Sequence, residues 1–268
     1  CQLVLSFSRM KLALAKIDLT DALSIWQRNL LVYRRLWKTE LLAPIVEPIF
    51  TFLAFGFGVG ALVTAQVQGL SYLAFVGAGV LCLMVFIKTL LEATYAAYFR
   101  MVFQNTYDAI LATPITVESL CFAEIIWAVS KAAIDSIIIL VVVAIFGGAP
   151  SLFAPLALVP LWLCCLFLAA FSLSITARIH DIDYFNIYLA LFFSSVFLTG
   201  AWFPLEILPL WLKFFAYAYP LTSAVDLVRA CLIGKFTSSH LLELAYLLIV
   251  SFIFIELSLR SLRKRMVI

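Results

Sequence analysis

Glu124, Lys131 and Asp135 stand seven and four residues apart in a run that is otherwise almost wholly apolar, and Lys88 and Glu92 stand four apart in another. Those spacings put each set on one face of a helix. A charged side chain inside a bilayer is costly, so it pairs with an opposite charge or faces a pathway. Two chemistries are therefore open. The five residues form a polar stripe along which an ion or proton is relayed, or they are charge pairs that lock helices together. Lys131 is expected to pair with Asp135 on its own helix or with Glu92 on the other.

Other residue groups are weighed in the same way. Trp202, Phe203, Trp211, Tyr217 and Tyr219 crowd one stretch, as an aromatic belt at a membrane interface does; the same rings could stack on a sugar at an exit. Gly234-Lys235 is not a phosphate loop, because Arg229 stands where the motif needs glycine and Phe236 where it needs Ser or Thr. Gly56, Gly58 and Ala61 match a loose dinucleotide fingerprint with no strand before them, and small residues for close helix approach explain Gly56 and Gly60 better. Six cysteines and two histidines show no zinc spacing, so no metal is expected.

The elements that must hold these residues follow from composition. Hydrophobic residues make up 65% of 268 and charged residues 12%, and mean hydropathy is +1.13. That much apolar surface requires lipid. One span needs about 20 apolar residues, and six are placed near 41–63, 71–99, 118–146, 152–177, 184–203 and 240–259. Pro44, Glu47 and Pro48 suit the first turn of the first span, and Pro160 suits a kink in the fourth. The expected architecture is all-α: six transmembrane helices, an amphipathic interface helix in the N-terminal 1–40 segment, and a re-entrant helical pair at 204–236 before the last span. A basic tail fills 260–268. No cleaved leader is expected, since the first long apolar run begins near Leu41. In the interface helix, Leu23, Trp26, Leu30, Tyr33 and Trp37 form the apolar stripe.

Basic residues cluster at both termini, beside apolar spans rather than in a nucleic-acid-binding patch. With Arg100 and Arg178, thirteen of the 18 fall on one side and three on the other, which puts both termini and residues 100–117 in the cytoplasm. Residues 64–70 and 204–236 are expected on the opposite side. Within 100–117, a short helix is expected at 106–113, capped by Asn105 or Thr106 and ended by Pro114. Thr116 and Glu118 then begin the next span, and Glu243 and Glu256 are read as interfacial.

Several motifs carry a family resemblance. Leu198-Thr199-Gly200-Ala201-Trp202-Phe203-Pro204, Leu208-Pro209-Leu210-Trp211-Leu212, Tyr219-Pro220-Leu221 and Asp226-Leu227-Val228-Arg229 resemble the C-terminal signature of type-2 ATP-binding-cassette exporter permeases. Trp26-Gln27-Arg28-Asn29, Glu47-Pro48, Tyr107-Asp108-Ala109-Ile110-Leu111 and Glu124-Ile125-Ile126-Trp127-Ala128 are similar to the nodulation-factor (lipo-oligosaccharide) exporter branch. The resemblance implies two copies of the chain, with two separately encoded ATPases that carry the ATP and magnesium. It implies a bacterial inner-membrane location and a coupling helix at Thr106, Tyr107, Asp108, Ile110 and Leu111. An ion- or proton-coupled carrier using Glu124, Lys131 and Asp135 is the alternative. An intramembrane transferase ranks last, because no nucleophile pair is evident.

Overall fold

A computed structural model describes residues 13–60 and 72–266, and its elements are helical throughout. The expected loop at 64–70, along with Arg9 and Lys11, lies outside the described residues. The first helix, α1, runs Leu19–Thr51 and continues through π-helical turns at Phe52–Val59. Asp18 caps its start, accepting a bond from the Thr20 amide at 2.8 Å.

This helix corrects two expectations. The interface helix and the first span are one uninterrupted element, and Pro44 and Pro48 lie in its interior rather than in a first turn. Each proline removes an amide donor and crowds the preceding turn; the wider π turns follow directly at Phe52. The candidate span Leu19–Gly56 covers 38 residues, about 57 Å of helix against a hydrocarbon core of about 30 Å. Its N-terminal half therefore extends past the apolar layer or lies along it. The face it buries also differs from the expected stripe: Ala22, Ile25 and Asn29 pack inward, while Leu23 and Trp37 are exposed.

α2 (Tyr72–Leu91) is extended by π segments at Glu92–Ala96 and Phe99–Phe103. It is the central helix: 78% of its most apolar window is buried, against 22% for α1. Small residues let neighbours approach it closely. A Cβ on Gly79 would clash with the Ala201 carbonyl oxygen. A short helix, α3 (Thr106–Leu111), leads into α4 (Val117–Ile145), which Thr116 caps at the Ser119 amide. A 3-10 turn at Ala154–Ala157 opens α5 (Leu158–Thr176), so Pro160 sits in the first α-helical turn, not at a mid-span kink.

α6 (Tyr184–Val196) has 13 residues with three more in 3-10 geometry. It is shorter than the expected span at 184–203, because the chain turns at Gly200 with φ 70°. Where the re-entrant pair was expected, the chain forms two short helices, α7 (Leu210–Ala218) and α8 (Pro220–Ile233). α8 is deeply buried and ends at Gly234, whose φ of 78° favours glycine. The last helix, α9 (Ser239–Met266), runs through the basic segment that was expected to be a separate tail. Among the described residues, five helices are long and apolar enough to cross a membrane, with α6 a shorter sixth.

Two apolar clusters stack along the bundle. One gathers Phe75, Phe86, Leu161 and Val228; the other gathers Tyr98, Tyr107, Leu120, Phe185 and Leu259 at the end where α3 lies.

Candidate functional site

The intramembrane charges meet above α3, though not in the pairs their spacing suggested. Arg100 Nη1 donates to Glu92 Oε1 at 2.9 Å and its Nη2 to Glu124 Oε2 at 2.6 Å. Lys131 Nζ reaches Glu92 Oε2 at 3.1 Å and Glu40 Oε2 at 2.7 Å. Lys131 thus takes the Glu92 partner and not Asp135, and it gains Glu40 from α1, which the sequence did not point to. Lys88 pairs with Glu47 of α1 at 3.2 Å rather than with Glu92. Both expected i,i+4 pairs give way to ties between helices.

The local backbone explains why. In an ideal α-helix, side chains eight residues apart point about 80° away from each other. The π turns at Glu92–Ala96 and Phe99–Phe103 change that phase, bringing Glu92 and Arg100 together. Arg100, expected in the cytoplasmic 100–117 segment, instead joins Lys131 as a cation of a buried network. The carboxylates in spans were the signal, since Glu92 and Glu124 each require a donor.

Further donors complete the network. Trp127 Nε1 donates to Glu92 at 3.1 Å, Asn29 Nδ2 to Glu124 at 3.2 Å, and Arg28 to Asn29 Oδ1 at 2.7 Å. Lys131 lies 6.0 Å from the Tyr33 ring centre, within cation–π range. These groups line a cavity of about 340 Å³ between α1, α2 and α4, with Arg28, Tyr33, Glu40, Arg100 and Lys131 on its walls. Asp135 is buried deeper along α4 and enters no ion pair among the described residues. Glu124, Lys131 and Asp135 therefore share a helix face without forming one bonded chain. The arrangement clamps three helices; it presents no nucleophile beside a base.

α3 hangs directly below. Asn105 precedes it at φ 49° with no side-chain cap, so neither predicted capping bond forms. Tyr107 is wholly buried in the lower cluster, and its hydroxyl lies near Glu124 and Arg100. Burial raises its pKa well above the ordinary phenol value, and the Glu124 charge adds to that. Ile110 and Leu111 are half-buried against the same cluster. Asp108 and Ala109 face outward, and Thr106 is partly exposed. Of the five expected coupling residues, Tyr107 is an anchor, not a surface contact.

The aromatic group divides. Trp202 packs on Phe55 with ring centres 4.5 Å apart, and Tyr219 hydrogen-bonds Ser195 at 2.9 Å. Phe203 is half-buried, whereas Trp211 and Tyr217 point outward from α7. The five do not converge on one surface. Arg229, which sequence reasoning left unassigned, donates to the Gly200 carbonyl at 2.7 Å, pairs with Asp226 at 3.2 Å and stacks over Phe75 at 4.2 Å. It pins α8 to the turn that ends α6, which gives the Thr199-Gly200-Ala201-Trp202 and Asp226–Arg229 motifs a shared structural cause.

The basic residues gather at the α3 end. Arg263 meets Glu118 at 2.8 Å, and Arg265 donates to the carbonyls of Ala177 and Ile179. Glu256, expected to be interfacial, accepts from the Ala13 amide at 3.0 Å and from Arg260, tying the N-terminal segment to α9.

The described residues form a multi-pass helical bundle with charged helix clamps and a small helix held between two spans, the architecture of an all-α membrane protein. Residues 20–233 match the family profile of the ABC-2 type transporter, and the chain belongs to that family, as a membrane subunit. It is 30% identical over 244 residues to nodulation protein J of Bradyrhizobium diazoefficiens, covering 91% of this chain and 93% of that one. It is also 30% identical over 245 residues to nodulation protein J of Rhizobium leguminosarum bv. viciae, covering 91% and 94%.

Proposed function

We propose that this chain is the permease subunit of an ATP-driven exporter, moving an amphipathic substrate out of the cytoplasm or inner leaflet. A lipo-oligosaccharide, a lipid-linked glycan or a hydrophobic drug has the required chemistry: a polar head with an apolar body. Two copies of the chain pair with two ATPase subunits, which bind ATP and magnesium. The assembly sits in a bacterial inner membrane with both termini cytoplasmic, an orientation that the basic bias supports.

The observation that carries this reading is α3. A six-residue helix is fixed from within by Tyr107 and presents Asp108 and Ala109 outward at the basic end of the bundle. A partner that pushes on it moves Tyr107, and Tyr107 lies against the Arg100–Glu124 pair that joins α2 to α4. Similarity to two nodulation J proteins over nine-tenths of the chain agrees with the resemblance to the nodulation-factor exporter branch, and that branch suggests the lipo-oligosaccharide class. A proton-coupled carrier has less support, since Glu124 and Lys131 are already engaged by Arg100, Asn29, Glu92 and Glu40.

The test is reconstitution. The chain alone in proteoliposomes should hydrolyse no ATP, and hydrolysis and export of a lipo-oligosaccharide should appear together when its partner ATPase is added. Transport driven by a proton gradient without ATP would favour the carrier instead.

A further inference from the structure

Beside the transport machinery, the α3 end holds a second feature that the exporter reading does not use. A cavity of about 750 Å³ opens between the end of α5 and the end of α9, walled by Arg178, His180, Arg260, Lys264 and Arg265. No carboxylate lines it among the described residues. The nearest acid on α9, Glu256, is bonded to Arg260 and to the Ala13 and Leu14 amides, and Asp181 of the 177–183 turn accepts from the Asp183 amide. Arg178 and Lys264 are exposed, so their charges face whatever fills the space.

A second cavity of about 590 Å³ shares Arg178 and His180 with the first and continues along α6. Its wall is apolar: Ile175 on α5, then Tyr184, Ile187 and Leu191 at spacings of three and four on one face of α6. Those three α6 side chains are 60–67% exposed. From Tyr184 to Leu191 the groove runs about 10 Å along the helix. A cationic basin therefore opens into an apolar channel pointing toward the middle of the bilayer.

We infer that this joined basin and groove binds an anionic glycerophospholipid, with its phosphate among Arg178, Lys264 and Arg265 and one acyl chain against Ile187 and Leu191. Basic pockets between helix ends hold anionic headgroups for this reason: charge attraction fixes the phosphate at the interface while the chain stays in the apolar layer. The cations alone would suit a soluble phosphate as well; the groove is what selects a lipid. The site is independent of the exported substrate.

The experiment uses the purified full-length chain in detergent, titrated with phosphatidylglycerol or phosphatidylcholine and read by native mass spectrometry. Phosphatidylglycerol should bind in preference to phosphatidylcholine. Removing two charges in R178Q/K264Q should weaken phosphatidylglycerol binding about 30-fold, while K213Q/K235Q, away from the basin, should leave it unchanged. Equal binding by R178Q/K264Q and the unmodified chain would overturn the inference, as would full competition by deacylated glycerophosphoglycerol, which would mark a soluble-anion site. In the unmodified chain, phosphatidylglycerol with a photoreactive group midway along one acyl chain should label residues 175–191. Labelling confined to other segments would overturn the inference, and so would quantitative disulfide formation between two copies of Ile187→Cys, because a second copy would then cover the groove.

Discussion

Arg100→Met tests the charge network most directly. Arg100 gives one nitrogen to Glu92 and one to Glu124, but its loss should not affect the two acids equally. Glu92 keeps Lys131 and Trp127, whereas Glu124, 3% exposed, keeps only the Asn29 amide among the described residues. Removing one partner of a buried pair costs about 3–5 kcal/mol, mostly from the charge left behind. For a chain of this size each kcal/mol shifts the unfolding midpoint by about 2–4 °C, so a loss of about 6–20 °C is expected. Neutralising the stranded acid should restore most of it, and R100M/E124Q should melt well above R100M. Glu92→Gln should be milder, because Arg100 retains Glu124 and Lys131 retains Glu40. The assay is thermal unfolding in detergent, followed by tryptophan fluorescence and by size exclusion after heating. If R100M melts within 2 °C of the parent, or if the double variant melts no higher than R100M, the network is not the clamp the geometry describes.

Four further outcomes are expected. Tyr107→Ala should lower stability by about 3–5 kcal/mol, as large-to-small changes in cores do. Tyr107→Phe should stay within about 1 kcal/mol because the hydroxyl has no aligned hydrogen-bond partner; yield and melting temperature check both. Replacing outward-facing Asp108 by alanine and Ala109 by tryptophan should leave the bundle folded but uncouple ATP hydrolysis from transport, read in proteoliposomes with the partner ATPase. Gly79→Ala should destabilise by about 1–3 kcal/mol, because its Cβ would strike the Ala201 carbonyl; unchanged melting would show that the two segments can separate freely. Glu47→Gln should change stability by less than about 1 kcal/mol, since its pair with Lys88 is half-exposed.

Composition and hydropathy determined the class of molecule and most of its elements. Long apolar runs separated by Arg178–Asp183, by Gly147-Gly148-Ala149-Pro150 and by Pro209 and Pro220 can fold in few ways, because a backbone in lipid must satisfy its own hydrogen bonds. Thr116 before α4, the short helix starting at Thr106, and the α7–α8 pair were legible for that reason. The identity of the costly residues was legible too: Glu92, Glu124 and Lys131 were marked as requiring partners by their surroundings alone.

Which partners they take was decided by tertiary structure. The spacing of Lys88 and Glu92 was compatible with a pair, yet Lys88 turns to Glu47 and Glu92 to Arg100 and Lys131. A local rule sees neighbours at three and four residues, while π turns shift the phase of α2, and α1 brings Glu40 to Lys131 and Asn29 to Glu124 across 91 and 95 residues of sequence. The run from Leu19 to Thr51 reads as two elements because its amphipathic half differs in composition from its apolar half, but helix continuity depends on backbone geometry rather than polarity. Tyr107 looked like surface in a polar stretch and is core, because a six-residue helix between two spans is held in place only by what it buries.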